Sequence, residues 1–216
     1  ITHNLDILDG ISRQVYQPII AGDLGEDLHI DQLVTSGKDV YALDKAQSKV
    51  IRVFKTATGY ELDPDFQCSS ASQDVEQLVD IAPVTFIDES HPSIVALDTS
   101  GNLIWCYTNR SHALIDLAPP SGAGWNSPTQ ITSFENYLYV LDAPANAIWL
   151  YTKHGRYDES LPDTPFPDAP HFYFGITEKR PSVIDVLDFS IDREPLYLLK
   201  ADGSVVSCYF AGYDVG

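Results

Sequence analysis

Four segments of this chain repeat one pattern: an apolar or aromatic stretch ending in Leu-Asp or Leu-Lys, a short polar turn, then an alternating strand closed by an aromatic. They read YALDKAQSKVIRVF (Tyr41 to Phe54), VALDTSGNLIWCY (Val95 to Tyr107), YVLDAPANAIWLY (Tyr139 to Tyr151) and YLLKADGSVVSCY (Tyr197 to Tyr209). Their first halves end at Asp44, Asp98, Asp142 and Lys200, so each unit is a β-hairpin recurring roughly every 50 residues, the period of a propeller blade. The repeat predicts an all-β chain, a β-propeller or part of one over residues 1–216, with about four visible units near 33–54, 84–107, 131–151 and 186–209.

Aligned with one extra residue in the turn of the first unit, Ile51, Ile104, Ile148 and Val206 share a column. The next columns hold Arg52, Trp105, Trp149 and Ser207, then Val53, Cys106, Leu150 and Cys208, then Phe54, Tyr107, Tyr151 and Tyr209. Side chains alternate across a strand, so the first and third columns share one face and the second and fourth the other. The aliphatic first and third columns are the expected packed face between blades, and Trp105 and Trp149 are expected in equivalent, mostly buried places.

Turn chemistry agrees, because Thr99-Ser100-Gly101-Asn102 and Ala201-Asp202-Gly203-Ser204 carry residues that accept the positive φ of tight hairpins. Turns are expected at 45–49, 99–102, 143–146 and 201–204. The apolar runs Leu33-Val34, Val84 to Ile87, Ile131 to Phe134 and Val186 to Ile191 supply a further strand per unit. No window sustains helical spacing, and Asp74 to Ile81 is the only stretch suited to a turn or two of helix.

With 216 residues, 44% of them hydrophobic and 11% aromatic, the chain can bury a β core. It contains no apolar run near the length of a membrane-spanning helix. The absence of Met and the start at Ile1, without a basic or signal-like stretch, read as a processed chain or a fragment of something longer. A net charge of −18 would repel a phosphate backbone, so nucleic acid and anionic membrane are not expected partners. The acids serve solubility or attract a basic partner.

The longest insertion, residues 153–181, carries Pro162, Pro165, Pro167 and Pro170 among four acids and then His171-Phe172-Tyr173-Phe174. Prolines so dense favour an extended surface loop. Two readings stand: a recognition loop in which Tyr157, Pro165, Phe166, Pro167, Phe172 and Tyr173 contact a protein partner, or a connection pinned to its own blade by its aromatics.

No residue is assigned to catalysis, a cofactor or a metal. His3, His29, His91, His112, His154 and His171 are scattered, and there is no zinc spacing, nucleophile elbow, phosphate loop or dinucleotide fingerprint. Asp63-Pro64-Asp65 offers two carboxylates, short of a calcium loop, and reads as a solvated turn. Asp44, Asp98 and Asp142 either form a carboxylate ring at one end of the propeller or accept backbone N–H groups at their turns, the latter preferred. Cys106 and Cys208 read as small buried hydrophobes, or Cys68 and Cys106 bridge neighbouring blades, which would imply an oxidising compartment.

The strings YELDPDFQC (Tyr60 to Cys68), LVDIAP (Leu78 to Pro83), ALDTSGNLIWC (Ala96 to Cys106), GWNSPTQIT (Gly124 to Thr132), YLYVLDAPANAIWLY (Tyr137 to Tyr151) and VIDVLDFSIDREPLYLLKADGSVVSC (Val183 to Cys208) together resemble uncharacterised β-propeller proteins of Chloroflexota-type bacteria. VYALDKAQSKVIRVF also resembles an NHL-type repeat. The resemblance spans about residues 25 to 210, includes all three cysteines and carries over no catalytic residue. It implies a propeller in an extracytoplasmic or membrane-anchored setting, and NHL-type rings of six blades would need units outside this chain. Residues 1 to 25, with Ile11 to Gly22, would then supply strands to an adjoining blade. The expected function is a non-enzymatic interaction or scaffolding module of a larger bacterial protein. The alternative is a hydrolase or lyase with its site in the central channel.

Overall fold

Each Leu-Asp or Leu-Lys ends a strand that reverses at once and pairs with its successor. In the computed structural model, residues 27–70, 75–84, 94–108, 112–115, 117–120, 125–152, 166, 168–174, 180–193 and 195–209 are described. Among them, four antiparallel sheets follow one another along the chain. The first blade comprises β1 (Gln32–Ser36), β2 (Asp39–Asp44), β3 (Lys49–Lys55) and β4 (Tyr60–Leu62). The second has β5 (Leu78–Pro83), β6 (Ile94–Asp98), β7 (Leu103–Cys106) and β8 (His112–Ile115). The third has β9 (Gln130–Phe134), β10 (Tyr137–Asp142), β11 (Ala147–Thr152) and β12 (His171–Phe172), and the fourth β13 (Val186–Ile191), β14 (Leu196–Lys200) and β15 (Val205–Cys208).

Spatial order equals chain order in every sheet, the meander expected of propeller blades. The first strands of successive blades touch in series, β1 to β5, β5 to β9 and β9 to β13, with no comparable contact from β13 back to β1. The all-β propeller and its hairpin reversals are thus as the repeat predicts.

Turn length sets the register, and here one expectation fails. In blades two and four a three-residue turn suffices: Asp98 N–H donates to Asn102 O at 3.0 Å and Lys200 N–H to Ser204 O at 2.9 Å. Gly101 and Gly203 supply the required positive φ, 94° and 82°. In blades one and three Asp44 pairs with Lys49 and Asp142 with Ala147, enclosing four residues, with Ser48 and Asn146 at φ 50° and 51°. The third turn, like the first, therefore carries an extra residue, and a slip of one flips every side chain to the other face.

Trp105 lies opposite Val95, whereas Trp149 lies opposite Val140. The true column of Trp105 is Arg52, Leu150 and Ser207, and Trp149 belongs with Ile51, Ile104 and Val206. The two indoles are not equivalent. They enter one interface from opposite sides, Trp105 buried from blade two and Trp149 half-buried from blade three.

Nor is one face alone packed. An internal propeller blade has a neighbour on each side, so the face turned to the next blade (forward) and the face turned to the previous one (backward) are both apolar. Tyr41, Leu43 and Val50 of blade one meet Ile94, Ala96, Ile104 and Cys106 of blade two. Val95, Leu97, Leu103 and Trp105 meet Ile131, Leu138, Val140 and Tyr151 of blade three. Tyr139, Leu141, Ile148 and Leu150 meet Val186, Phe189, Leu196 and Leu198 of blade four.

Blade two also corrects two local expectations. Its first strand is β5, one step before Val84, and residues 85–87 lie outside the described ones. Leu78 to Ile81, read as helix-compatible, belong to that strand, while Asp74 is not described. Asp80 and Pro83 interrupt the apolar run that marks the other first strands. Residues 1 to 25 also lie outside the described residues.

Candidate functional site

The repeated aspartates are consumed by the fold. Asp44, Asp98 and Asp142 are fully buried. Asp44 accepts from the backbone N–H of His29 at 3.1 Å and of Gln47 at 2.8 Å. Asp98 accepts from Glu76, Ser100 and Asn102 N–H at 3.0, 3.0 and 2.7 Å. Asp142 accepts from Asn126, Ser127 and Ala145 N–H at 2.9, 3.1 and 3.3 Å. Each carboxylate therefore ties its own hairpin turn to the segment entering the blade, satisfying donors that would otherwise be buried unpaired. This is the N–H-accepting role preferred above. Lys200 makes the same tie with reversed charge, its Nζ donating to Asp185 Oδ1 at 2.8 Å.

A second set of polar side chains escaped the sequence reading. Gln32, Asp80, Gln130 and Asp188 all stand on first strands, opposite the Leu of the Leu-Asp or Leu-Lys pair. Gln32 Nε2 donates to Ile81 O at 3.1 Å, and its Oε1 accepts from Ile81 N–H at 3.1 Å. Asp80 Oδ2 accepts from Ile131 N–H at 2.6 Å, and Gln130 Nε2 donates to Leu187 O. Each blade is thus stapled to the backbone of the next. Burial pushes the Asp80 carboxyl up to about 7, against the opposing pull of the Ile131 N–H. Asp188 breaks the series: it is exposed and accepts only from Phe189 N–H, at 2.8 Å. The signal was present as Gln-Leu, Asp-Ile, Gln-Ile and Asp-Phe, a polar acceptor followed by a large apolar residue in each first strand.

The forward face changes character at the same place. Leu43, Leu97 and Leu141 have no exposure, but the equivalent Leu199 has 38%. Tyr41 and Tyr139 are buried, whereas Tyr197 is 41% exposed, and Val205, in the column of Val50, Leu103 and Ile148, is 64% exposed. At the other end, Leu33 is 61% exposed where its equivalents Ile81, Ile131 and Phe189 are buried. The forward face of blade four is therefore open, whereas on the backward face of blade one Ala42 and Val53 are buried and Val40 and Ile51 half-buried. Contiguous exposed apolar surface of this kind marks an interaction site.

Of the residues named for recognition in the proline-rich insertion, the described ones are Phe166, Phe172 and Tyr173, and each packs against the blades. Phe166 is buried between blades two and three, its ring 6.3 Å from Tyr151. Tyr173 is buried between blades three and four, 5.8 Å from Tyr139. Phe172 is half-buried on β12, edge-on to Trp149 at 5.5 Å, with the Arg180 guanidinium 5.0 Å from its ring centre. These aromatics pin the connection to its own blades, because burying large rings outweighs displaying them. Tyr157, Pro165 and Pro167 lie outside the described residues.

Asp63 is buried rather than solvated. Arg52 donates to it at 2.9 Å and to Asp39 at 2.7 Å, so the buried Asp63 carboxylate is paired with a guanidinium while Asp65 is exposed. Cys68 and Cys106 form a disulfide with Cα atoms 5.6 Å apart, joining the loop after β4 to β7 of the next blade. Cys208, in the Cys106 column, is a half-buried free thiol whose pKa is raised by burial. Among the described residues, no three His, Cys, Asp or Glu side chains converge as metal ligands. No helix there is long and apolar enough to cross a membrane.

Neither a protein-family model nor a curated protein matches the chain. Solved structures do. A computationally designed protein, Ika4, is 14% identical with a TM-score of 0.52, covering 91% of this chain and 100% of its own. A catalytically inactive virginiamycin B lyase from Staphylococcus aureus, with quinupristin, is 12% identical with a TM-score of 0.50, over 88% of this chain and 59% of the lyase. A bacterial surface component of the type-IX secretion system of Porphyromonas gingivalis, PorZ, is 14% identical with a TM-score of 0.41, over 84% of this chain and 27% of that one. The chain therefore spans less than two thirds of each of the two natural proteins. At such identities the likeness to the first two shows the fold, a β-propeller.

Proposed function

We propose that the chain is a non-enzymatic protein-interaction module, the extracytoplasmic part of a larger bacterial protein, and that it binds through the open forward face of blade four. The observation that carries this reading is the exposure of Tyr197, Leu199 and Val205 at positions that form blade-to-blade contacts in the other three blades. Such a surface suits a protein partner with an apolar sheet or groove and a polar rim. The Cys68–Cys106 disulfide supports an oxidising compartment. The resemblance to propellers of Chloroflexota-type bacteria, with NHL-like repeats, supports the same setting.

A photo-crosslinking amino acid at Tyr197, in the parent protein within its source cells, tests the surface. Protein adducts from Tyr197, and none from the buried Tyr139, are expected. Equal yields from both positions, or none from Tyr197, would contradict the assignment.

A further inference from the structure

We propose that blade one holds a small-molecule site, a cavity beside Lys49 that takes an amphipathic carboxylate, separate from the open face of blade four. The outer edge of β3 is contacted twice. β4 pairs with it and continues to Asp63, whose N–H donates to Arg52 O at 2.9 Å; the chain returns at Cys68, whose carbonyl accepts from Val50 N–H at 2.8 Å. The loop of residues 63–68 bridges those two contacts and frames a cavity of about 490 Å³ against β3. That volume falls within the range of small-molecule sites.

The frame is fixed before any ligand arrives. Phe66 is buried between blades one and two with its ring 5.6 Å from Tyr41, Cys68 is bonded to Cys106, and Ser70 N–H donates to Ser48 O at 3.1 Å. A cavity held at so many points spares the ordering cost that weakens binding to loose loops.

Its lining sets the ligand class. Ile51, Leu62 and Pro64 supply apolar wall, and Lys49 alternates onto the same face of β3 as Ile51. Lys49 is half-buried, and among the described residues no ion pair engages it. A partly desolvated ammonium without a counter-ion gains from a carboxylate. The exposed Gln67 adds an amide donor. Asp63 also borders the cavity, but its carboxylate is committed to Arg52. The chain's net charge of −18 would oppose an anion, yet from Lys38 to Ser69 five Lys and Arg balance five Asp and Glu, which relieves that repulsion here.

Octanoate, octylamine and octanol, each titrated into the disulfide-bonded chain by calorimetry, test the site. Octanoate should bind with a dissociation constant below about 1 mM. It should bind at least about tenfold more tightly than the other two, the share of one charge-assisted hydrogen bond. Lys49→Gln should remove that preference, and Leu199→Glu, on the open face of blade four, should keep it. In the unaltered chain octanoate should slow acetylation of Lys49, read by mass spectrometry, and leave Lys45 and Lys55 unaffected. Equal affinity for octanoate and octylamine, binding unchanged by Lys49→Gln, or no protection of Lys49 at saturating octanoate would overturn the proposal. Loss of octanoate binding in Leu199→Glu would move the ligand to blade four and overturn it equally.

Discussion

The forward faces of blades two and four are both largely apolar, apart from Ser207, and meet opposite fates. Val95, Leu97, Leu103 and Trp105 are buried against blade three, whereas Tyr197, Leu199, Val205 and Ser207 are open. The strand pattern that writes an apolar face is local, but the burial that makes it stabilising belongs to the neighbour. In blade two apolar area is removed from water and stabilises the fold at about 25 cal/mol per Å². In blade four the same residue types contribute nothing until something covers them.

The largest expected contrast follows from this difference. Leu97→Ala should cost roughly 2–5 kcal/mol, the range for deleting a buried leucine side chain. Leu199→Ala, measured in urea on the isolated chain, should change the midpoint by little more than a surface substitution. Equal losses at both positions would erase the distinction between the closed and the open face.

Closure of the first interface by a covalent link gives the next effect. Reducing the Cys68–Cys106 bond, or replacing both residues by Ser, should cost roughly 2–4 kcal/mol on chain-entropy grounds. Non-reducing peptide mapping establishes that the bond is present before the comparison, and recovery of both residues as free thiols from native protein would remove it from the account.

A smaller effect, readable as a pH profile, comes from the buried staple Asp80. The Asp80 carboxyl sits near 7 in the folded chain against 3.8 ordinarily, so the native state holds a proton that the unfolded state releases. Stability should be highest below about pH 4 with respect to this group, fall as pH rises towards 7, and level off above. Asp80→Asn should flatten that slope and raise stability at pH 8. A native protein whose stability rises across that window for the Asp80-dependent component would contradict the burial argument.

The hairpin ties give the last contrast. Asp142→Ala strands three backbone donors and should destabilise by about 1–3 kcal/mol. Lys200→Ala loses only a solvent-facing tie and should leave the urea midpoint within error.

Much of the architecture was legible because the hairpin signal is local. Leu-Asp, a turn and an alternating strand identify themselves in any context, and so do the aspartates that cap them. The register of blade three was not, although the difference was visible: Thr99-Ser100-Gly101 and Ala201-Asp202-Gly203 contain the glycine that a three-residue turn requires, whereas residues 45–48 and 143–146 contain none and take a fourth residue. The first strand of blade two was hidden by Asp80, a carboxylate that reads as solvent-facing and is in fact a buried staple. Phe166 and Tyr173 looked available in a proline-rich surface loop, and only the packing of distant strands shows them to be interior. The open face was the least legible element, since nothing in Leu199 or Tyr197 distinguishes them from the buried Leu141 and Tyr139.

Hydroxyl-radical footprinting of Tyr41, Tyr139 and Tyr197 tests the central claim most directly, because the three occupy one structural position in blades one, three and four. In the isolated chain Tyr197 should be oxidised readily while Tyr41 and Tyr139 stay protected. Protection of Tyr197 equal to that of Tyr139 would contradict an open face on blade four.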